Sequence, residues 1–355
     1  MNAQAEKIRE YLEQFYSPEE WPTLRWQAEE WSKTLPLEGL RVLDGTPIYR
    51  NTLGKYMALL AAGAEVWVPA QPGMPSDSAT MHQLEEFGIH RAPRGMDDFD
   101  ILLDCSGQFC ELHPRLGAAE LTRTGVHRYV HPHHPVILTD SGRIKRIETV
   151  LGTGDGFFRA LKQLGHTELK GQRLLIIGFG KVGRGVLHHA RKEGMIATVA
   201  DVVDKRSQLP EGVRFVDATD TDALNDAILQ SWCTVTVTGR ISALRRSLKA
   251  ELIIPSPVLL ANLGVEDEYG SSIPEWRVLN HKKPLNFLLE EPTSMRYMET
   301  TMALHNACAL ELLTADLPHG CILPSADVEE RLLHVACTRG LIGPDVKLLT
   351  EGERA

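Results

Sequence analysis

The most chemically specific stretch of the chain is RLLIIGFGKVGRGVLHHARKEGMIATVADVVD, residues 173–204. Residues 174–177 read as an apolar strand, Gly178-Phe179-Gly180-Lys181-Val182-Gly183 follows at once, and 184–193 has helical composition. In such a turn the first glycine permits the tight bend, the second lets backbone approach a pyrophosphate, and the third lets helix pack on strand. The start of the helix offers free N–H groups and the positive end of its dipole to the phosphates. A second strand, IATVA, ends in Asp201, 18 residues past Gly183, where an acid accepts hydrogen bonds from ribose hydroxyls. The combination predicts a dinucleotide site. Asp201 would repel a 2′-phosphate, which favours NAD over NADP, although Lys205 and Arg206 stand close by. The competing use of the same glycines is a tightly packed turn with no ligand.

Other residues could move protons. Lys145 and Glu148, three apart at the start of a predicted helix, share a face, and a Glu beside a Lys can tune its basicity. A solvent-exposed ion pair has the same spacing. His281 and His305 are further acid–base candidates because imidazole titrates near neutrality, although single histidines are commonly structural. Asp155 opens a helix as a cap, and Cys105 reads as a small core residue. His131-Pro132-His133-His134 reads as an ordinary loop: adjacent histidines diverge, and no acid or Cys stands nearby at a helical ligand spacing, so no metal site is expected.

Alternating strands and helices must position these groups. Strands are predicted at 40–50, 64–69, 99–105, 173–177, 213–218, 234–239 and 251–264, and helices at 51–62, 79–88, 154–164, 295–313 and 325–338. The first 35 residues read as helical, with Ser17-Pro18-Glu19-Glu20 as a helix start and Trp21, Trp26 and Trp31 as a core or interface stripe. Such alternation implies parallel sheets with right-handed crossovers, and a second series begins near 150–170.

Composition narrows the class. The 355 residues carry 38 Lys+Arg against 47 Asp+Glu, a net charge of -9, which argues against nucleic-acid binding. No apolar run is long enough to span a membrane, and the N-terminus lacks a signal-peptide pattern. The six cysteines are scattered with no C-x-x-C pair, as suits free thiols in a cytoplasmic protein.

The order of segments resembles the S-adenosylhomocysteine hydrolase (adenosylhomocysteinase) family. The pieces are LLAAGAEVWV (59–68), ILLDCSG (101–107), TRTGVHRY (122–129), TDSGRIKRIETVLGTGDGF (139–157), the GFGKVG loop, TVTGR (236–240), ANLGVEDE (261–268) and ACALELL (307–313). The resemblance implies an α/β fold in which a Rossmann NAD(P)-binding domain, 151–295, is inserted into a substrate domain formed by both chain ends, 1–150 plus 296–355. It also implies cofactor contacts from Thr122 and Thr124 at the nicotinamide end, from Thr238, Gly239 and Asn262, and from Thr149, where the family has Asn. The family's substrate residues do not carry over. Its catalytic His falls on Pro47, the second Asp of its Asp-Asp-Gly-Gly run on Cys105, a Glu on Leu121 beside Glu120, and its redox Lys on Ile144 beside Lys145. The Asp partnering that Lys becomes Glu148, and two further histidines fall on Val265 and Glu291.

The expected function is therefore an NAD-dependent dehydrogenase or reductase acting on a small polar metabolite, a hydroxy/keto or amino/imino acid. The rival readings are a hydrolase or lyase with internal NAD redox, a non-catalytic NAD-binding sensor or partner protein, and a 2-hydroxy-acid dehydrogenase using Arg240, Glu266 and His281. A dimer or tetramer is expected. The family's tail after Lys-Leu-Leu-Thr-Glu, which reaches the NAD of a neighbouring protomer, has no counterpart before Ala355, so NAD(H) is expected to leave at each turnover.

Overall fold

The computed structural model describes residues 1–314 and 316–346; the segment at 347–355, on which the expectation of NAD(H) release rests, lies outside them. The chain forms two compact units, one of 1–145 with 295–346 and the other containing 146–294. The first division falls between Lys145 and Arg146, before the 150 expected.

In chain order, the first unit begins with α1 (Ala3–Leu12), α2 (Pro22–Trp31), β1 (Arg41–Asp44), α3 (Thr52–Ala61), β2 (Glu65–Pro69), α4 (Ser78–Gln83), β3 (His90–Ala92) and β4 (Ile101–Asp104). It continues with β5 (Gly117–Glu120), α5 (Arg123–Val126), β6 (Pro135–Leu138) and α6 (Gly142–Arg146), whose last residue already belongs to the second unit. The second unit holds a π-helical turn (Ile147–Gly152), α7 (Thr153–Gln163), β7 (Arg173–Ile177), α8 (Lys181–Lys192), β8 (Ile196–Asp201), β9 (Arg214–Asp217), α9 (Thr221–Leu229), β10 (Cys233–Thr236), α10 (Ala250–Ile253) and β11 (Leu259–Asn262). The chain then returns to the first unit with α11 (Met295–Thr314), β12 (Gly320–Ile322) and α12 (Ala326–Arg339).

Both sheets are parallel throughout. The first unit orders its strands β12-β6-β5-β4-β1-β2-β3 and the second β11-β10-β7-β8-β9. Each order reverses direction once, between β1 and β4 in the first unit and between β7 and β10 in the second, and such switch points open a crevice at the carboxyl ends of the strands. The second order is that of a Rossmann domain. Strands β4, β5 and β10 are buried along their whole length, as parallel strands covered on both faces must be.

Two local expectations change. The apolar run at 251–264 is not one strand: 250–253 is helical, and β11 starts only after Pro255 and Pro257, which cannot donate to a ladder. The helix expected at 79–88 ends as α4 at Gln83 and passes through a single 3-10 turn to Gly88, which is left-handed with φ 76°. Among the described residues no helix is long and apolar enough to cross a membrane.

α11 is the core helix of the first unit, buried on nearly every face and packed on α2, α3, β4 and β5. Its fully buried Glu299 lies at the start of α2, a helix with no capping side chain of its own. The Glu299 carboxylate accepts the N–H groups of Thr23 and Leu24, both at 3.1 Å, and the Thr23 hydroxyl at 2.8 Å. Burial nevertheless outweighs these donors and pushes its carboxyl from 4.5 up to about 7. A raised carboxyl stabilises the fold below its unfolded value and loses that contribution as pH rises through the folded one. Unfolding free energy measured against pH is therefore expected to fall by roughly 3 kcal/mol between pH 4.5 and about 7 on this account, and Glu299→Gln is expected to flatten that slope.

Candidate functional site

In the second unit β7 ends at Ile177 and Gly178 turns the chain with φ 103°, a left-handed value that side-chain-bearing residues rarely adopt. A Cβ on Gly183 would lie 2.1 Å from the Gly178 carbonyl oxygen, so only glycine lets α8 start this close to β7. At Gly180, the N-cap of α8, a Cβ would meet nothing within 4 Å, and no side chain caps the helix. The first turn of α8 therefore keeps its N–H donors beside open space, the arrangement a pyrophosphate requires. Phe179 is buried in the core, Val182 packs against that core, and Lys181 is exposed.

Asp201 closes β8 beside this loop. Its carboxylate accepts the Phe179 N–H at 2.7 Å on one oxygen and the Val203 N–H at 2.9 Å on the other, leaving each oxygen a further acceptor position. Val202 and Val203 follow it as exposed apolar side chains, a feature that the motif alone does not signal because it ends at the acid. Arg206 pairs with Asp204 at 2.7 Å and lies over the Phe215 ring. These residues fit a nicotinamide dinucleotide.

Three of the expected cofactor positions do other work. The N–H groups of Thr238 and Gly239 donate to the buried Glu268 carboxylate at 2.8 and 2.6 Å. Asn262 is buried, and its side chain is saturated: its amide donates to the carbonyls of Gly264, Glu266 and Lys282, and its oxygen accepts from Gly264 N–H and the Thr236 hydroxyl. It positions the loops around it and has no polar atom left for a ligand. Thr149 is half-buried in the π-helical turn.

The loop Asn262 holds contains His281. Asn280, His281 and Lys282 are all left-handed, at φ 54°, 51° and 67°, a strain that persists only where the surroundings impose it. Lys282 anchors the turn to Asp267 at 2.9 Å and to the Gly270 carbonyl at 2.7 Å, leaving His281 exposed.

In the first unit the site-forming groups are ones that sequence motifs do not mark. Asp44, Asp104 and Glu120 end the adjacent strands β1, β4 and β5, and all three are fully buried. Asp44 pairs with the equally buried Lys55 and accepts from the N–H of Thr46 at 3.0 Å. Asp104 accepts the Tyr129 hydroxyl at 2.6 Å and the N–H groups of Cys105 and Phe109; burial, then the nearby Glu120 charge, push its carboxyl up to about 6. Glu120 accepts the N–H groups of Ser106, Gly107 and Thr122 and the Thr122 hydroxyl. The signal for all three is an acid at the end of an apolar run, which by itself marks only the end of a strand.

The Thr122 hydroxyl is likewise saturated, donating to Glu120 and accepting from the N–H groups of Ser106 and Gly125, whereas Thr124 is exposed. Cys105 is buried, and burial first, then Glu120, push its thiol up to about 12 even though the Lys145 charge opposes the shift. His305 is fully buried, its Nε2 faces the Ala119 carbonyl at 3.0 Å, and burial followed by the Lys55 charge hold its imidazole neutral. Lys145 lies in α6 and Glu148 in the π-helical turn that follows it, both half-buried. Asp155 is not the cap of α7, whose N-cap is Gly152, and pairs with Arg159 at 2.8 Å. Among the described residues no group of three or more His, Cys, Asp or Glu is arranged to hold a metal ion.

No family model matches the chain. Over 412 residues, 99% of this chain and 94% of the other, it is 23% identical to the S-inosyl-L-homocysteine hydrolase of Methanopyrus kandleri. It is 27% identical over 273 residues to the adenosylhomocysteinase of Archaeoglobus fulgidus, covering 66% of this chain and 64% of that one. The adenosylhomocysteinase of Aquifex aeolicus is 27% identical over 263 residues, 63% of this chain and 60% of its own. The matched region is thus less than two thirds of the length of these two adenosylhomocysteinases. Among solved structures, a dipicolinate synthase component from Bacillus halodurans aligns with a TM-score of 0.48 at 12% identity, over 79% of this chain and 99% of that one. A transhydrogenase from Sinorhizobium meliloti aligns with a TM-score of 0.44 at 14% identity, over 77% and 95%. The chain resembles the S-adenosylhomocysteine hydrolases as a divergent relative.

Glu120 holds four donors at once, so its loss leaves buried N–H groups without acceptors. Glu120→Ala is expected to cost about 2–4 kcal/mol of stability in urea unfolding. A loss below about 1 kcal/mol would show that the loop does not depend on this carboxylate.

Proposed function

We propose that the chain is an NAD-dependent oxidoreductase acting on a small polar metabolite, a hydroxy/keto or amino/imino acid. The observation that carries this reading is the open N-terminus of α8 between Gly178 and Gly183, set beside the acceptor carboxylate of Asp201. The first turn of α8 holds the pyrophosphate and Asp201 the ribose hydroxyls, and the acid together with the diverted Arg206 favours NAD over NADP. The dinucleotide, when bound, supplies a hydride donor or acceptor.

Where the hydrolase resemblance expects acids and bases for adenosine chemistry, this chain has a protonated, buried Cys105, a buried Leu121 and a buried Ile144. None of the three can take a proton at neutral pH. Lys145 remains as the group assigned to hold or deliver the proton at the reacting carbon, a role that hydride transfer to a carbonyl or imine requires. The full-length similarity to an S-inosyl-L-homocysteine hydrolase favours a second reading, hydrolysis of a nucleosyl homocysteine.

One assay separates the two. The chain is incubated with NADH and a panel of 2-oxo acids with and without ammonia, and in parallel with S-adenosyl- and S-inosylhomocysteine. Loss of reduced nicotinamide with at least one oxo or imino acid, no release of homocysteine, and a drop of about 100-fold or more in kcat for Lys145→Met are expected. Homocysteine release without any NADH oxidation would replace the oxidoreductase reading by the second one.

A further inference from the structure

Ser106 occupies a position built for glycine. It lies between β4 and β5 with φ 64°, followed by Gly107 at φ 63°, and the two N–H groups of this left-handed pair grip the Glu120 carboxylate at 3.1 and 3.0 Å. A glycine at 106 would make the same backbone bonds without the cost of order 1 kcal/mol that a side chain brings to this conformation. The serine therefore contributes its hydroxyl alone.

That hydroxyl is poorly used inside the protein. Its neighbours are Thr124 Oγ1 at 3.4 Å, Thr122 Oγ1 at 3.5 Å and the Cys105 thiol, which stays protonated and is a weak acceptor. Thr122 has spent its proton on Glu120 at 2.7 Å and its lone pairs on backbone N–H groups. Thr124 Oγ1 in turn lies 3.2 Å from Thr122 Oγ1, so the hydroxyls of Ser106, half-buried, and Thr124, exposed, 3.4 Å apart at the carboxyl end of the sheet, have other hydroxyls and a thiol as their partners. The Glu120 carboxylate beneath them is held by four donors, its charge still raises the Asp104 carboxyl and the Cys105 thiol, and the Lys145 charge opposes it at Cys105.

We propose that Ser106 Oγ and Thr124 Oγ1 form a two-hydroxyl clip that binds the carboxylate of the substrate, making Ser106 a specificity-determining residue. The proposal rests on the oxidoreductase reading and names the group common to its hydroxy, keto, amino and imino acids. A carboxamide would suit the same donors, and the test separates the two sources.

Oxalate is the probe, titrated by calorimetry into the full chain saturated with NADH, and NADH is titrated separately. Ser106→Gly is expected to weaken oxalate about fivefold or more while NADH affinity stays unchanged and the thermal midpoint holds or rises, since the left-handed strain is relieved. Thr124→Val is expected to do the same to oxalate, and Thr124→Ser to restore it. Oxalate bound equally by wild type and Ser106→Gly, no oxalate binding to wild type, or weakening of NADH in place of oxalate would each overturn the clip. Absence of NADH binding to wild type would instead strike the oxidoreductase reading, so the two failures are distinguishable.

Discussion

Acids placed at the carboxyl ends of parallel strands, where they accept backbone N–H groups from the loops that follow, are the constraint on which both candidate sites depend. Stripping a carboxylate of water costs several kcal/mol, and only charge-assisted hydrogen bonds in good geometry recover it. Glu120 recovers it from the 106–107 turn and Thr122, and Asp104 from Cys105, Phe109 and Tyr129; Glu268, in the loop after β11, does so from Thr238 and Gly239. Asp201, half-buried, does the same with Phe179 and Val203 while keeping acceptor capacity for a ligand. The loops are shaped by what these carboxylates demand, and the functional side chains ride on the loops.

This pattern explains which parts of the protein can be read from its sequence. The glycine loop and Asp201 are legible because each residue there answers to a local rule: a left-handed turn, a close helix–strand approach, an acid at a strand end. The long strands and helices are legible through apolar periodicity. β5 is not, because Gly117-Ala118-Ala119-Glu120 carries too little apolar bulk to register, and β3 and β12 are only three residues each. The π-helical turn at Ile147–Gly152 has no composition of its own. The roles of Asn262, Thr122 and His305 depend on partners distant in sequence, such as Lys282 for Asn262 and Ala119 for His305. Spacing alone does not reveal these partners, and so does not reveal how far each side chain is already engaged inside the protein.

The resemblance to S-adenosylhomocysteine hydrolases and the physical reading agree on the dinucleotide and part company at the substrate. The carboxylates that remain in the first unit, Asp104 and Glu120, are the ones that hold loops, whereas their sequence neighbours Cys105 and Leu121 stand where the relatives' chemistry is expected. Keeping a scaffold of buried acids while exchanging the groups beside them is a route by which one fold takes a new substrate. Ser106, left-handed although it bears a side chain, stands on the loop that these acids hold.

Direct titration of NADH and NADPH into the full chain and into Asp201→Ala tests the central claim, that the second unit binds a nicotinamide dinucleotide through the Gly178–Gly183 turn and Asp201. The account predicts that wild type binds NADH at least about tenfold more tightly than NADPH and that Asp201→Ala loses most of that preference. Failure to bind either dinucleotide, or a preference for NADPH that survives the substitution, would contradict it.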